Sequence, residues 1–418
     1  MKFNPFRPTS LVGPGMFRGR GAELISIERD LYQAKHGNPQ HFLIEGERGI
    51  GKSSLLFFVD ALGSGIVHCS DGSYLNFVVV NVELRGSDDQ FDIVKGIARD
   101  LTRAISEHKT LKELASKVWD FLSNWEVMGV KYNKNNSEAE LAEVFDGLVN
   151  SLVSLVSEAE LELDGVLLLI DEADKPSETA ELGEFVKLLT ERLSKRRCDN
   201  VLLGLAGLPS LIGKLRLSHE SSPRIFEVMS LAPLAPEERK DVVRQGLAMA
   251  EQKSGDKTVI TEEALDMIST LSEGYPHFIQ QFSYSAFEED KEGTIDVHDV
   301  LYGAHKKGGA LGQLGIKYFN EMYFTSISSD DYRKVLNTMA THGDDWVSRA
   351  RILDESGLVE HTVTNALKAL KDRNVIIQND AQRGSYKLPT KSFAAWINAL
   401  LSVEKRAEDD DEPLLKLD

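Results

Sequence analysis

Eight consecutive residues constrain this chain more than any others. Gly46-Glu47-Arg48-Gly49-Ile50-Gly51-Lys52-Ser53 satisfies the pattern G-x-x-x-x-G-K-[ST] at each fixed position. The apolar run Phe42-Leu43-Ile44 precedes it and a helix-periodic stretch over 53–62 follows, which predicts strand, glycine-rich turn and helix. Glycines let successive backbone N–H groups turn inward around phosphate oxygens, and the helix N-terminus adds the positive end of its dipole. Lys52 would then reach the β- and γ-phosphates of a nucleotide, and Ser53 would ligate Mg²⁺. Gly46, Glu47, Arg48, Gly49, Ile50, Gly51, Lys52, Ser53 and the adjoining Ser54 make up the expected phosphate-binding set.

A second motif supplies carboxylates. Val166-Leu167-Leu168-Leu169-Ile170 reads as a fully buried strand that ends in Asp171-Glu172-Ala173-Asp174. Ligands of open α/β sheets bind outside the C-terminal ends of the strands, which is where this acidic pair falls. Asp171 can hold the Mg²⁺ shell through water, and Glu172 can orient and deprotonate an attacking water. A nucleotide kinase has no need of Glu172 beside Asp171, so the pair favours hydrolysis of ATP with Mg²⁺ as its cofactor.

The surrounding pattern predicts an α/β fold. Strands are expected at 42–44, 75–84, 166–170, 201–205 and 226–231, with helices at 53–62, 92–108, 143–158 and 179–193 between them. A polar, partly helical stretch is expected over 110–142. Strands alternating with helices over about 200 residues point to a parallel sheet covered on both faces. After Pro236 the pattern turns helical, at 237–250, 261–271, 275–289 and 297–305. Gly308-Gly309-Ala310-Leu311-Gly312-Gln313-Leu314-Gly315 reads as a hinge. Helices at 332–341, 348–355 and 361–373, then two short strands within 374–388, describe a winged helix-turn-helix. The run Glu408-Asp409-Asp410-Asp411-Glu412 marks an acidic, solvated tail.

Composition narrows the function classes. A formal net charge of −18 excludes a globally basic coat for nucleic acid. From Asp330 to Ile397 there are 10 Lys and Arg against 9 Asp and Glu, so a local DNA-reading module remains compatible with the charge. Apolar runs such as Val166–Ile170 fall far short of the roughly 20 residues that span a bilayer, and the first residues carry no apolar signal segment. Cys69 and Cys198 are too few for a disulfide framework, so a cytoplasmic protein with no membrane partner is expected. No H-E-x-x-H or close His–Cys cluster is present, which leaves a transition metal unsupported.

With both motifs in place, the chain resembles the P-loop ATPases of the AAA+ and STAND group over roughly Gly13–Lys306. Replication-initiator, transposition and archaeal-type ATPases are the relatives it resembles within that group. The resemblance implies a P-loop ATPase core at 1–235 and a helical lid at 236–307, then a hinge or linker at 308–327. A winged helix at 328–402 and a disordered acidic tail at 403–418 would follow. Met16-Phe17-Arg18-Gly19-Arg20-Gly21-Ala22-Glu23 looks like the box that lies against adenine in these families, which nominates Phe17 and Arg20. Gly274-Tyr275-Pro276 looks like the element whose proline packs on the base, which nominates Pro276. Arg224, before the fifth strand, stands where such oligomers present an arginine finger to a neighbouring subunit; a plain surface arginine reads equally well. Two departures stand out. Leu205-Ala206-Gly207-Leu208-Pro209 offers no polar sensor at the end of the fourth strand, and His277 stands where a lid arginine is expected.

Helix 361–371 would bury Val363, Ala366, Leu367 and Leu370 and turn Thr362, Thr364, Asn365, Lys368 and Lys371 outward, with Arg383 and Lys387 in the following hairpin. Glu360, Asp372 and Asp380 flank that surface, so duplex DNA and a protein partner are both open as its ligand. Beside a nucleotide-binding scaffold that hardly hydrolyses, for which Glu172→Gln would leave behaviour unchanged, two main readings result. One is an oligomeric ATPase switch that engages DNA through residues 361–387. The other is a STAND-like regulatory ATPase of a prokaryotic defence or mobile-element system that controls an effector protein.

Overall fold

The computed structural model describes residues 2–107, 138–158, 163–255, 257–325, 327, 329–379 and 382–409. The stretch expected at 110–142 lies outside them up to residue 137, as do Asp380 and residues 410–418 of the acidic tail. The chain forms two compact units, Leu11–Ala232 and a second made of Met1–Ser10 with Pro233–Asp418.

In the first unit, helix α1 (Gly21–Lys35) precedes strand β1 (His41–Glu45) and helix α2 (Lys52–Gly63). Next come β2 (Phe77–Glu83), α3 (Gln90–Glu107), α4 (Glu138–Glu158) and β3 (Gly165–Asp171). The remainder is α5 (Leu182–Lys195), β4 (Val201–Gly207), α6 (Leu211–Ser218) and β5 (Phe226–Ser230). All five strands are parallel, in the order β2-β3-β4-β1-β5. Parallel strands covered on both faces are apolar along their length, which is why β3 and β4 read as continuous hydrophobic runs.

One face buries Leu43, Val80, Leu168 and Leu203 with α3, α4 and α5, while α1 and α2 pack on the other. Gly204 sits mid-strand because Phe42, its register partner, fills the space; a Cβ there would come within 2.3 Å of that ring. Cys69 and Cys198 are both buried free thiols.

The second unit holds α7 (Pro236–Ser254), β6 (Val259–Ile260), α8 (Glu262–Ser272), α9 (Pro276–Glu289), β7 (Thr294–Ile295) and α10 (Val297–His305). It continues with α11 (Ala310–Leu314) and two π-helical turns, Gly315–Phe319 and Glu321–Thr325. Helices α12 (Asp330–Ala340), α13 (Arg349–Ser356) and α14 (Glu360–Asp372) then form a winged helix with strands β8 (Val347–Ser348), β9 (Ile377–Gln378) and β10 (Ser385–Lys387). The strands pair antiparallel in the order β8-β10-β9, and α15 (Lys391–Asp409) closes the chain. Gly357, at φ 63°, ends α13 and makes the helix-turn-helix turn.

Three expectations change here. The segment expected as a hinge is helical, and Ala310, Leu311 and Leu314 are buried in one core with residues of both the helical part and the winged helix. The first ten residues belong to this unit rather than to the one that holds the parallel sheet, where the expected core at 1–235 placed them: Phe6 is buried against Gly246, and Lys2 pairs with Asp290 at 2.7 Å. Helix α15 runs on through Asp409, so residues 403–409 are helical and not a disordered tail.

Candidate functional site

The phosphate loop leaves β1 at Gly46 and enters α2 at Lys52, as the strand–turn–helix pattern requires. Gly49 and Gly51 take φ values of 79° and 99°, a region that side-chain-bearing residues rarely adopt. Gly46 is needed for a different reason: a Cβ would come within 2.8 Å of Ile50 Cγ2 and 3.3 Å of Leu231. The loop therefore folds over the buried Ile50 side chain and leaves Glu47 and Arg48 exposed.

Lys52 Nζ lies inside the turn and donates to the carbonyls of Gly46 at 2.7 Å and Glu47 at 3.1 Å. Burial lowers its pKa, while Glu172, Asp171, Asp174 and Glu47 oppose that shift. The same facts place the ammonium in the field of the carboxylates at the end of β3. Ser53 and Ser54 follow it, half-buried, in the first turn of α2.

Parallel pairing brings the ends of β1, β3 and β4 side by side, so the two motifs meet although more than a hundred residues separate them. Asp171 ends β3, and its Oδ1 accepts the Glu172 N–H at 2.8 Å. Glu172 has φ 54°, a strained value for a residue with a side chain, and its carboxylate lies 3.6 Å from Lys175 Nζ. Positive-φ strain on a side-chain residue tends to collect where chemistry requires one orientation. The donor set suits Mg²⁺: hydroxyl and carboxylate oxygens from Ser53 and Asp171, with no soft ligand between them. Ser53 and Asp171 are the residues that would hold it.

Sequence reasoning assigned Asp174 no role. It is buried, and its Oδ1 accepts the Leu208 N–H at 2.8 Å, just beyond β4. A Cβ on Gly207 would meet that oxygen at 2.8 Å. The strand end that carries no polar side chain of its own thus receives one from the neighbouring strand. Its signal was the third acid of Asp171-Glu172-Ala173-Asp174, but only strand pairing shows that it turns toward β4.

The remaining nominees divide. Phe17 packs on Phe58 of α2, ring centroids 5.2 Å apart, and Arg20 Nη2 donates to the Ile50 carbonyl at 3.1 Å, so Phe17 lies against α2 and Arg20 against the loop. Arg224 is exposed on the turn Ser222–Ile225 before β5. Pro276 belongs to the second unit, where it opens α9. His277 beside it packs on Tyr318, and its buried Nε2 has no hydrogen-bond partner among the described residues. Burial first and then Lys317 push its pKa down to about 4, so the ring is neutral at pH 7 and does not replace a lid arginine as a cation.

The strand order, the loop after β1 and the acidic end of β3 define the fold of the AAA+ P-loop ATPases, extended by a C-terminal winged helix. In structure the chain is similar to the ORC2 protein of Aeropyrum pernix, solved in ADPNP–ADP complexes, with a TM-score of 0.52 and 13% identity over 97% of this chain and 99% of that one. In sequence it is similar to a Methanocaldococcus jannaschii protein named an uncharacterized HTH-type transcriptional regulator, with 27% identity over 326 residues, 75% of this chain and 74% of the relative. No family model matches the chain. Among the described residues no helix is long and apolar enough to cross a membrane.

Proposed function

We propose that this chain binds ATP with Mg²⁺ in the loop Gly46–Ser54, hydrolyses it, and couples its nucleotide state to engagement of duplex DNA through the winged helix. The single observation that carries this reading is the convergence of Lys52 with Asp171 and Glu172 at the C-terminal edge of one parallel sheet. Backbone N–H groups of the loop and Lys52 would bind the phosphates, and Glu172 would accept a proton from the attacking water. Bound Mg²⁺ would supply neutralisation of phosphate charge. Arg224 would act on a neighbouring copy in an oligomer, and Phe17 would lie against the base. That the Aeropyrum protein was solved with ADPNP and ADP supports the nucleotide, and the helix-turn-helix name of the Methanocaldococcus relative supports DNA.

The DNA surface would be Thr362, Asn365, Lys368 and Lys371 on α14, with Arg383 and Lys387 in the wing. One observation favours a protein partner instead. Arg349 is tied to Glu360 at 2.6 Å and Thr364 at 3.0 Å, which neutralises one cation beside α14, while Val359 and Ile377 are exposed nearby in sequence.

The test is ATP turnover by the full chain with and without duplex DNA at two salt concentrations. Glu172→Gln should keep nucleotide binding and lose turnover by about 100-fold or more. Stimulation by DNA that fades with salt supports the DNA reading. Turnover that ignores DNA but vanishes in Glu172→Gln moves the winged helix to a protein partner, and unchanged turnover in that variant overturns the assigned base.

A further inference from the structure

The phosphate loop is gripped from behind by a residue whose expected task was the base. Arg20 is only 7% exposed, and its Nη2 donates to the Ile50 carbonyl at 3.1 Å while Nη1 lies 3.5 Å from the Glu23 carboxylate. Its own backbone is left-handed at φ 64°, and its carbonyl accepts the Leu24 N–H at 2.9 Å to start α1. Burying a guanidinium costs free energy unless its donors find acceptors, so this placement needs the loop carbonyl and Glu23 together. Ile50 is held at its other end as well, with its side chain 1% exposed beneath Gly46.

The peptide that Arg20 grips joins Ile50 to Gly51, and no peptide bond among the described residues is cis. In a trans peptide the C=O and N–H point in opposite directions, so anchoring the Ile50 oxygen on Arg20 directs the Gly51 N–H the other way. Gly51 takes φ 99°, caps α2 and stands immediately before Lys52. Many other orientations of this glycine peptide are sterically open, and the guanidinium selects one of them. We infer that Arg20 is a positioning residue for phosphate binding: it orients the Ile50–Gly51 peptide so that its N–H faces the phosphates, and it takes no part in recognising the base. The inference rests on the nucleotide-binding reading above and deepens it.

The two roles separate when the base is removed from the ligand. Binding of Mg·ADP, Mg·GDP and Mg·pyrophosphate would be measured by calorimetry on the wild-type chain, Arg20→Asn and Arg20→Lys. Asparagine tolerates the left-handed backbone at this position, so α1 keeps its start, while lysine keeps a cation that can reach a carbonyl. Arg20→Asn is expected to weaken ADP and pyrophosphate by the same factor, about tenfold or more, with the ADP-to-GDP ratio unchanged. Arg20→Lys is expected to recover part of both losses. A loss confined to ADP, or a changed ADP-to-GDP ratio, would return Arg20 to the base and overturn the inference. Unchanged affinity for every ligand in Arg20→Asn would reduce it to a helix cap and overturn it too. Wild-type protein that binds none of the three overturns the nucleotide reading itself, which separates that failure from failure of the Arg20 assignment.

Discussion

His41 sits at the start of β1, largely buried, with its Nδ1 accepting the Leu203 N–H of β4 at 3.2 Å. Burial pushes its pKa down to about 4, against 6.5 for an ordinary imidazole, because a charged ring there would lose its solvation and its acceptor role together. The folded value lies below the unfolded one, so the stability this ring supports is fully present above about pH 6.5 and is lost as pH falls toward 4. The fall from 6.5 to about 4 corresponds to about 3 kcal/mol at most. Urea unfolding of the wild type and of His41→Gln at pH 7.5 and pH 4.5 checks this: the wild type should lose more stability on acidification than the variant. Equal losses would place the acid sensitivity elsewhere. At this scale the sequence was informative about chemistry and weak about direction. Lys52, Ser53, Asp171 and Glu172 are legible because each motif fixes residue types at fixed spacing. The turn of Asp174 toward β4 and of Arg20 toward Ile50 is set by strand pairing and by a left-handed backbone, and neither leaves a mark in spacing.

Among elements, β1, β3 and β4 were legible because a parallel strand buried on both faces must be apolar throughout. The two-residue strands β6 and β7 have no period to read, and α15 follows Pro389-Thr390 with little warning. The glycines of 308–315 misled for a physical reason. Glycine serves loops through its freedom and cores through its size; here a Cβ on Gly315 would meet Trp396 Nε1 at 2.2 Å. The junction between α8 and α15 carries its own titratable group. Glu273 ends α8 at φ 50° and accepts the Ser392 N–H at 3.3 Å. Burial raises its carboxyl to about 7, helped by Asp344 and opposed by the N–H groups of Ser392 and Lys391 and by the Lys391 charge. With the folded value above the unfolded one, its contribution is fully present below about pH 4.5 and is lost as pH rises through 7. Glu273→Gln keeps a carbonyl acceptor and removes the charge. It should match the wild type at pH 4 and exceed it by about 1–3 kcal/mol at pH 8.5, read from chemical unfolding at each pH. A variant less stable than the wild type at pH 8.5 would mean that the carboxylate is wanted there.

Across the whole molecule, the second unit is discontinuous in sequence, since all of Leu11–Ala232 lies between its first ten residues and Pro233. Those ten residues are not ornamental. Phe6 is 2% exposed in the same core as Val243, Phe282 and Phe287, and Gly246 makes room for its ring, where a Cβ would come within 2.4 Å. Around it, Lys2 pairs with Asp290, Asn4 donates to Glu288 at 2.8 Å, and the Arg7 N–H donates to Gln280 at 2.8 Å. Buried aromatic truncations cost about 3–5 kcal/mol, so Phe6→Ala should destabilise this unit by that order. The cost should also be local, because the ring is buried in the core of its own unit. Amide hydrogen exchange can read the two units separately. Protection should fall in α7 and α9, which surround Phe6, and hold in β1, β3 and β4 of the parallel sheet. Arg7→Ala, which trims an exposed side chain and keeps the backbone N–H that donates to Gln280, should shift exchange far less. Equal protection of α7 and α9 in the wild type and Phe6→Ala would show that the strap adds nothing to the unit. A fall in both units together would show that they unfold as one cooperative body, and the division at Pro233 would then be geometric and not energetic.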